Sequence, residues 1–345
     1  MKRLFIIIIF FFSCYAIAQW KEEKIITFNK TVLTDFQVHH LSSKGLVLVS
    51  EKNTGKTKYS LTNIYNQTNK IIYETTSEKS YTFFDTNDDY VIIRCLDDNR
   101  WIVKIYDIIN NELITIEDPN GHVVRADVID KNNILYQYRP LDESNASIYL
   151  FDRQKDEKKY ILDGLGVWCA PNGKYFIVNT PNEEERYIYY IIYSKDGREI
   201  LRLPSDINHI HWSPDSKNLL FTNGASCNNF GIISLEDNKT LSLKNIKNFS
   251  YFTSKSGDLN CIASPIWGNT KDSIFFRKTK DDGHDILESS IWLFTKKDQK
   301  IKQISKTYFS NEHIQDFKVT DKNEILLLTK SKSEIQSVYR LLPLK

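Results

Sequence analysis

No run of proline, glycine or serine interrupts the 345 residues, and no block of like charge does either. Linkers of that kind separate domains, so their lack argues for one continuous unit. An excess of either charge is also missing. The chain carries 46 Lys and Arg against 44 Asp and Glu, and without Lys2 and Arg3 the count is 44 on each side. Such a balance gives no electrostatic ground for a nucleic-acid partner or an anionic membrane surface. After Phe12 no apolar run nears the roughly 20 residues that a membrane-spanning helix needs. Catalytic signatures are missing too: there is no Gly-x-Ser-x-Gly elbow, no His-Glu-x-x-His pair, no phosphate loop and no dinucleotide fingerprint. The five cysteines show no Cys-x-x-Cys or Cys/His spacing of a structural zinc site.

What is present begins with an export signal over residues 1–18. Lys2 and Arg3 form its basic start, Leu4 to Phe12 its apolar run, and Ala16-Ile17-Ala18 a small-x-small cleavage site before Gln19. A lipid anchor at Cys14 is the alternative, on a loose Phe12-Ser13-Cys14 site. Export leads to the periplasm or the exterior, where cysteines can oxidise. Cys227 and Cys261, in polar connections, are either bridged or free, whereas Cys95 and Cys169 fall in strand-like apolar segments.

The remaining residues, 19–345, repeat. Aligned on one turn, seven copies place Lys44, Asp89, Asn132, Lys174, Lys217, Asp272 and Asn323 at successive spacings of 45, 43, 42, 43, 55 and 51 residues. The sharpest copy is Trp212-Ser213-Pro214-Asp215-Ser216-Lys217, followed by Leu219-Leu220-Phe221. Pro and Asp set a tight turn there, and a strand stands on either side. A second strand–turn–strand follows in each of the first six copies, as in Ile105 to Ile114 and Ile192 to Ile200. Four strands in about 40–45 residues is one propeller blade. The 19 Tyr and 19 Phe, with Asn, Asp and Lys in the turns, favour strands throughout. The seventh copy stops after Ser337 to Leu342, one strand short, while Lys24 to Phe28 belongs to no copy. The expectation is an all-β, single closed β-propeller of seven four-stranded blades, the last completed by the N-terminal strand.

The Trp212 copy, Pro171-Asn172-Gly173-Lys174 with Phe176-Ile177-Val178, and Trp267 with Asp272 to Phe276 resemble the WD40-like repeat of TolB-type β-propellers. The likeness is sharp in blades four to six and runs through the rest as periodicity alone. It implies the fold; propellers of this kind serve as scaffolds, as partner domains of peptidases and occasionally as enzymes.

Two sets of residues stand out as candidates. His209 and His313 fall in or near the connections between successive copies, and His209 and His211 alternate on one strand; two imidazoles so placed, with a third across a channel, suit a divalent metal. With Arg125 as a substrate clamp they resemble the channel site of some propeller polysaccharide lyases, without the Gln or carboxylate beside the histidines. The long spacings suggest insertions at residues 248–261 and 277–288 on one face, where Phe249, Tyr251 and Phe252 are candidate anchors for a partner. Asp85 to Asp89 reads as a solvated turn rather than a calcium loop. The leading expectation is a non-catalytic exported scaffold that binds a protein, peptide or glycan and needs no cofactor. The alternative is a metal-dependent carbohydrate lyase.

Overall fold

The structure, a computed structural model, describes residues 20–28, 35–53, 55–77, 79–85, 87–142, 145–182, 187–203, 207–223, 230–235, 240–242, 259–281 and 285–343. Within them the chain forms strands and turns, with no helix. The strands group into seven antiparallel sheets. Six are read directly along the sequence, at residues 35–75, 80–116, 121–163, 165–202, 207–242 and 259–309; we call them blades one to six and their strands a to d from the inside out. Blade seven takes strands a to c from Glu312–Val319, Ile325–Ser331 and Gln336–Pro343, and strand d from Trp20–Phe28.

That last pairing is the closure expected from the sequence. Trp20 lies opposite Pro343, Lys24 opposite Tyr339, and Phe28 opposite Gln336, with one irregularity between Lys24 and Ile26. Side chains reinforce the ladder. Glu23 binds Arg340 at 2.8 Å and the Thr27 and Ser337 hydroxyls meet at 3.3 Å, while Glu22 reaches Lys306 of blade six at 2.8 Å.

Sequence pattern follows position in the blade. A strand covered on both faces reads as an unbroken apolar run. Strand b of blade two, with Val91-Ile92-Ile93, and strand b of blade seven, with Leu326-Leu327-Leu328, are buried throughout those runs. The outer strand Glu157–Asp163 is largely exposed and polar. The core is therefore distributed between blades rather than central. Seven apolar clusters each seal one gap between neighbours. Phe230, Phe276 and Phe294 fill the gap between blades five and six, and Val38, Val49, Leu328 and Val338 fill the one between blades seven and one.

The long spacing after blade six has a structural cause. Strands Ser273–Asp281 and Ile286–Thr295 extend the b–c hairpin, and Tyr308–Phe309 adds a short fifth strand against Glu288 and Ser289. What the sequence suggests as a loop insertion at residues 277–288 is thus mostly paired strand. The other expected insertion lies largely outside the described residues, as do Phe249, Tyr251 and Phe252. Cys95 and Cys169 are buried thiols. Cys14, Cys227 and the side chain of Cys261 fall outside the description.

Candidate functional site

The turns between strands a and b recur at one end of every blade, and their chemistry explains the repeat. Ser213 receives the Asn218 amide on its hydroxyl at 2.9 Å and donates to Asp215 at 2.6 Å, while Ser216 takes φ of 58°. Gly45, Asp88, Gly173 and Asn323 adopt the same left-handed conformation in their turns, at φ of 74°, 56°, 65° and 59°. Only glycine and small polar residues enter that region readily. In blade two the cap is Asp85, whose carboxylate accepts the amides of Asp89 at 2.8 Å and Tyr90 at 2.7 Å.

Strand a carries a register irregularity in every blade except the second; those in blades one and three fall between Val38 and His40 and between Val123 and Arg125. A bulge sets two residues against one and re-aims the side chain that follows it. Here it turns His40 and Arg125 toward the ring axis, where both line a central cavity.

Each gap between inner strands is bridged by a side chain that reaches the backbone of the next blade. His40 Nε2 meets the Thr82 carbonyl at 2.7 Å, and Arg94 and Arg125 donate to the carbonyls of Val124 at 3.2 Å and Val167 at 3.0 Å. Trp212 Nε1 donates to Trp168 O at 3.4 Å and Trp267 Nε1 to His211 O at 3.3 Å. Arg277 donates to Ile314 O at 2.7 Å, and the Gln336 amide both accepts from and donates to the Val38 backbone. The inner strand has a free edge, and these contacts satisfy it. The tryptophan of the Trp-Ser-Pro-Asp repeat is thus a staple between blades.

At the a–b end all seven blades contribute to a cavity of 860 Å³ on the axis. Its wall is divided. Blades four to six present Trp168, Pro171, Trp212, Pro214, Ile266 and Trp267. Blades seven, one, two and three present the charged groups Asp85, Asp88, Arg125, Asp127, Lys318 and Asp321, with His40. Four carboxylates face two cations. Asp85 and Asp88 are only 5% and 3% exposed. The solvated turn expected at this position is therefore a buried one, because the capping geometry folds both side chains inward. Burial, then the charge of Asp127, pushes the Asp85 carboxyl up to about 7. Asp127 accepts the Cys169 amide at 2.7 Å across the blade boundary. Arg125 lies 4.3 Å from the ring centre of Trp168 and 5.1 Å from that of Phe83. Its burial weakens the charged form, against the stabilising field of Asp127.

Among the histidines singled out by sequence, His211 lines the cavity at the a–b end of its strand. His313 pairs with Lys330 at the far end of strand a in blade seven, six residues before Val319, which is roughly 20 Å at strand rise. The structure does not bring these two together. His209 lies within strand Ile207–Trp212, where a register shift falls between Asn208 and His211; its side chain is outside the description. Among the described residues no three His, Cys, Asp or Glu side chains converge as a metal-ligand group. Arg125 is in the cavity, as a wall residue already stacked and hydrogen bonded. The sequence reading did not single out Asp88, Asp127 or the tryptophans as cavity-lining residues. The recurrence of Trp168, Trp212 and Trp267 just before three successive turns was the available signal.

No family model matches the sequence, and no curated protein matches it either. Solved structures do match in shape. An oligogalacturonate lyase in complex with manganese is 11% identical, covers 95% of this chain and 99% of its own, and has a TM-score of 0.62. The β-propeller domain of the Trilobed protease from Pyrococcus furiosus is 12% identical over 89% of this chain and 95% of its own, with a TM-score of 0.57. The Swd1 β-propeller domain from Myceliophteria thermophila is 6% identical over 93% and 99%, with a TM-score of 0.54. The chain has the β-propeller fold. At these identities the likeness extends to fold alone. The protease domain is described as having an open velcro topology, whereas here the ring is closed by the N-terminal strand.

Proposed function

We propose that this propeller is an exported, non-catalytic binding protein that takes part of a protein, peptide or glycan partner into the cavity at its a–b end. The supporting observation is the cavity itself. At 860 Å³, with an apolar wall and a few fixed polar groups, it has the size and lining of a recognition site. Two described histidines, His40 and His211, line the cavity, and the first is engaged structurally. His40 contacts the Thr82 carbonyl through Nε2, and His39, hydrogen bonded to Ser50 at 2.8 Å, is not among the cavity-lining residues. Placing a photo-crosslinking residue at Asn87 or Asp321, on the mouth, should trap an envelope partner. The same residue at Lys159 on the perimeter or Asn311 on the opposite face should not. Adducts from Asn311 alone would move the binding face to the other end of the ring.

The second reading, a metal-dependent lyase acting on acidic sugars, has in its favour the shared fold with the manganese-bound oligogalacturonate lyase. Two observations speak against it: the separation of His211 from His313, and an excess of carboxylates that would repel a uronate. Elemental analysis of the purified exported chain is expected to find no stoichiometric transition metal. One equivalent that is lost with His211→Ala would favour the lyase.

A further inference from the structure

On the reading of the cavity as a recognition site, we propose that its ligand is a basic peptide segment, with a lysine or arginine side chain seated against Asp88 and a neighbouring apolar residue against the tryptophan wall. The cavity is two-sided, so a ligand that fills it must be amphipathic. The apolar side, from blades four to six, offers Trp168, Trp212 and Trp267 with Ile266 and two prolines. The polar side sets Asp85, Asp88, Asp127 and Asp321 against Arg125 and Lys318, leaving negative charge over.

Asp88 identifies where a cation sits. It is 3% exposed and lines the cavity, and its Oδ2 accepts the Ser43 amide at 2.6 Å. Its Oδ1 is buried without a hydrogen bond. The Lys318 ammonium stands 3.8 Å from that oxygen, which lowers the local field without donating to it. A buried carboxylate oxygen lacking a donor is a strong acceptor for an incoming N–H group. A bare metal ion is the poorer occupant, because no three ligating side chains converge among the described residues. An acidic or phosphorylated segment would meet the carboxylates with like charge. The chain already shows the preferred pairing in its own wall, where the Arg125 guanidinium rests on Trp168 at 4.3 Å beside Asp127.

The test uses the exported chain and three probes, acetyl-Phe-Lys-Phe-amide and its Gln and Glu counterparts, titrated calorimetrically and by tryptophan fluorescence. The Lys peptide is expected to bind at least tenfold tighter than the Gln peptide, and the Glu peptide not at all. Asp88→Asn retains an acceptor for the Ser43 amide and a residue tolerant of φ 56°. It should reduce the Lys peptide to the affinity of the Gln peptide. Lys318→Gln should act in the opposite direction and tighten the Lys peptide several-fold, a gain that misfolding would not produce. If Asp88→Asn fails to fold, Lys318→Gln carries the test. Equal binding of the Lys and Gln peptides, preference for Glu, or no binding by any probe would overturn the ligand class. The crosslinks from Asn87 and Asp321 judge the binding role separately.

Discussion

A carboxyl group buried inside a turn changes stability with pH in a direction set by its own shift. Asp85 is raised by burial and by Asp127 to about 7, above the value it has when unfolded. Its favourable contribution is therefore complete below the unfolded value, near 4, and is lost as pH rises toward 7, because only the unfolded chain can ionise freely. Asp85→Asn keeps an oxygen for the Asp89 and Tyr90 amides. It is expected to leave stability unchanged near pH 4 and to raise it by on the order of 3 kcal/mol at pH 8, read from urea unfolding at both pH values. His39 has the reverse dependence. Burial, then His40, lowers it to about 4, so stability falls as pH drops from 6.5 to 4 while the unfolded imidazole takes up protons. His39→Gln should remove on the order of 2 kcal/mol of that acid loss, seen as a smaller difference between pH 7 and pH 4.5. Neither shift was legible in the sequence. Asp85 sits in a run of Asp and Asn that reads as solvent-facing, and only the inward fold of the capped turn desolvates it.

At the scale of elements, the period and the missing strand were enough to place the closure. Lys24 to Phe28 was the one strand-like stretch without a partner, and it pairs with Gln336–Pro343. What periodicity could not supply was the bulge in strand a. One extra residue leaves the 40–45-residue spacing intact, yet it decides whether Arg125 or its neighbour faces the axis. The closing strand can be tested covalently. Thr27 and Ser337 are cross-strand partners whose hydroxyl oxygens lie 3.3 Å apart. A Thr27→Cys/Ser337→Cys chain should oxidise to one species of faster non-reducing gel mobility. It should also melt higher, since the bond closes nearly the whole chain into a loop, worth about 3–5 kcal/mol in the entropic account. Failure to form the bond in the folded protein would mean that the N-terminal strand does not occupy the outer position of blade seven.

The whole molecule joins these two scales, because the closure and the cavity share an end. Ile325 follows the a–b turn of blade seven and lies opposite Leu341, which in turn lies opposite Glu22. Trp20 and Pro343 are therefore on the face where the cavity opens, and Trp20 packs edge-on against Phe275 there, at 6.4 Å. A lipid on Cys14 would stand six residues before Trp20. Cleavage after Ala18 would leave the mouth open to a peptide arriving from solution. The small-x-small site at Ala16-Ile17-Ala18 predicts the second arrangement. Intact-mass measurement of the exported protein should then give a chain beginning at Gln19, recovered in the soluble fraction without detergent. A diacylated chain beginning at Cys14 and recovered only in detergent would replace cleavage after Ala18 with the lipid anchor.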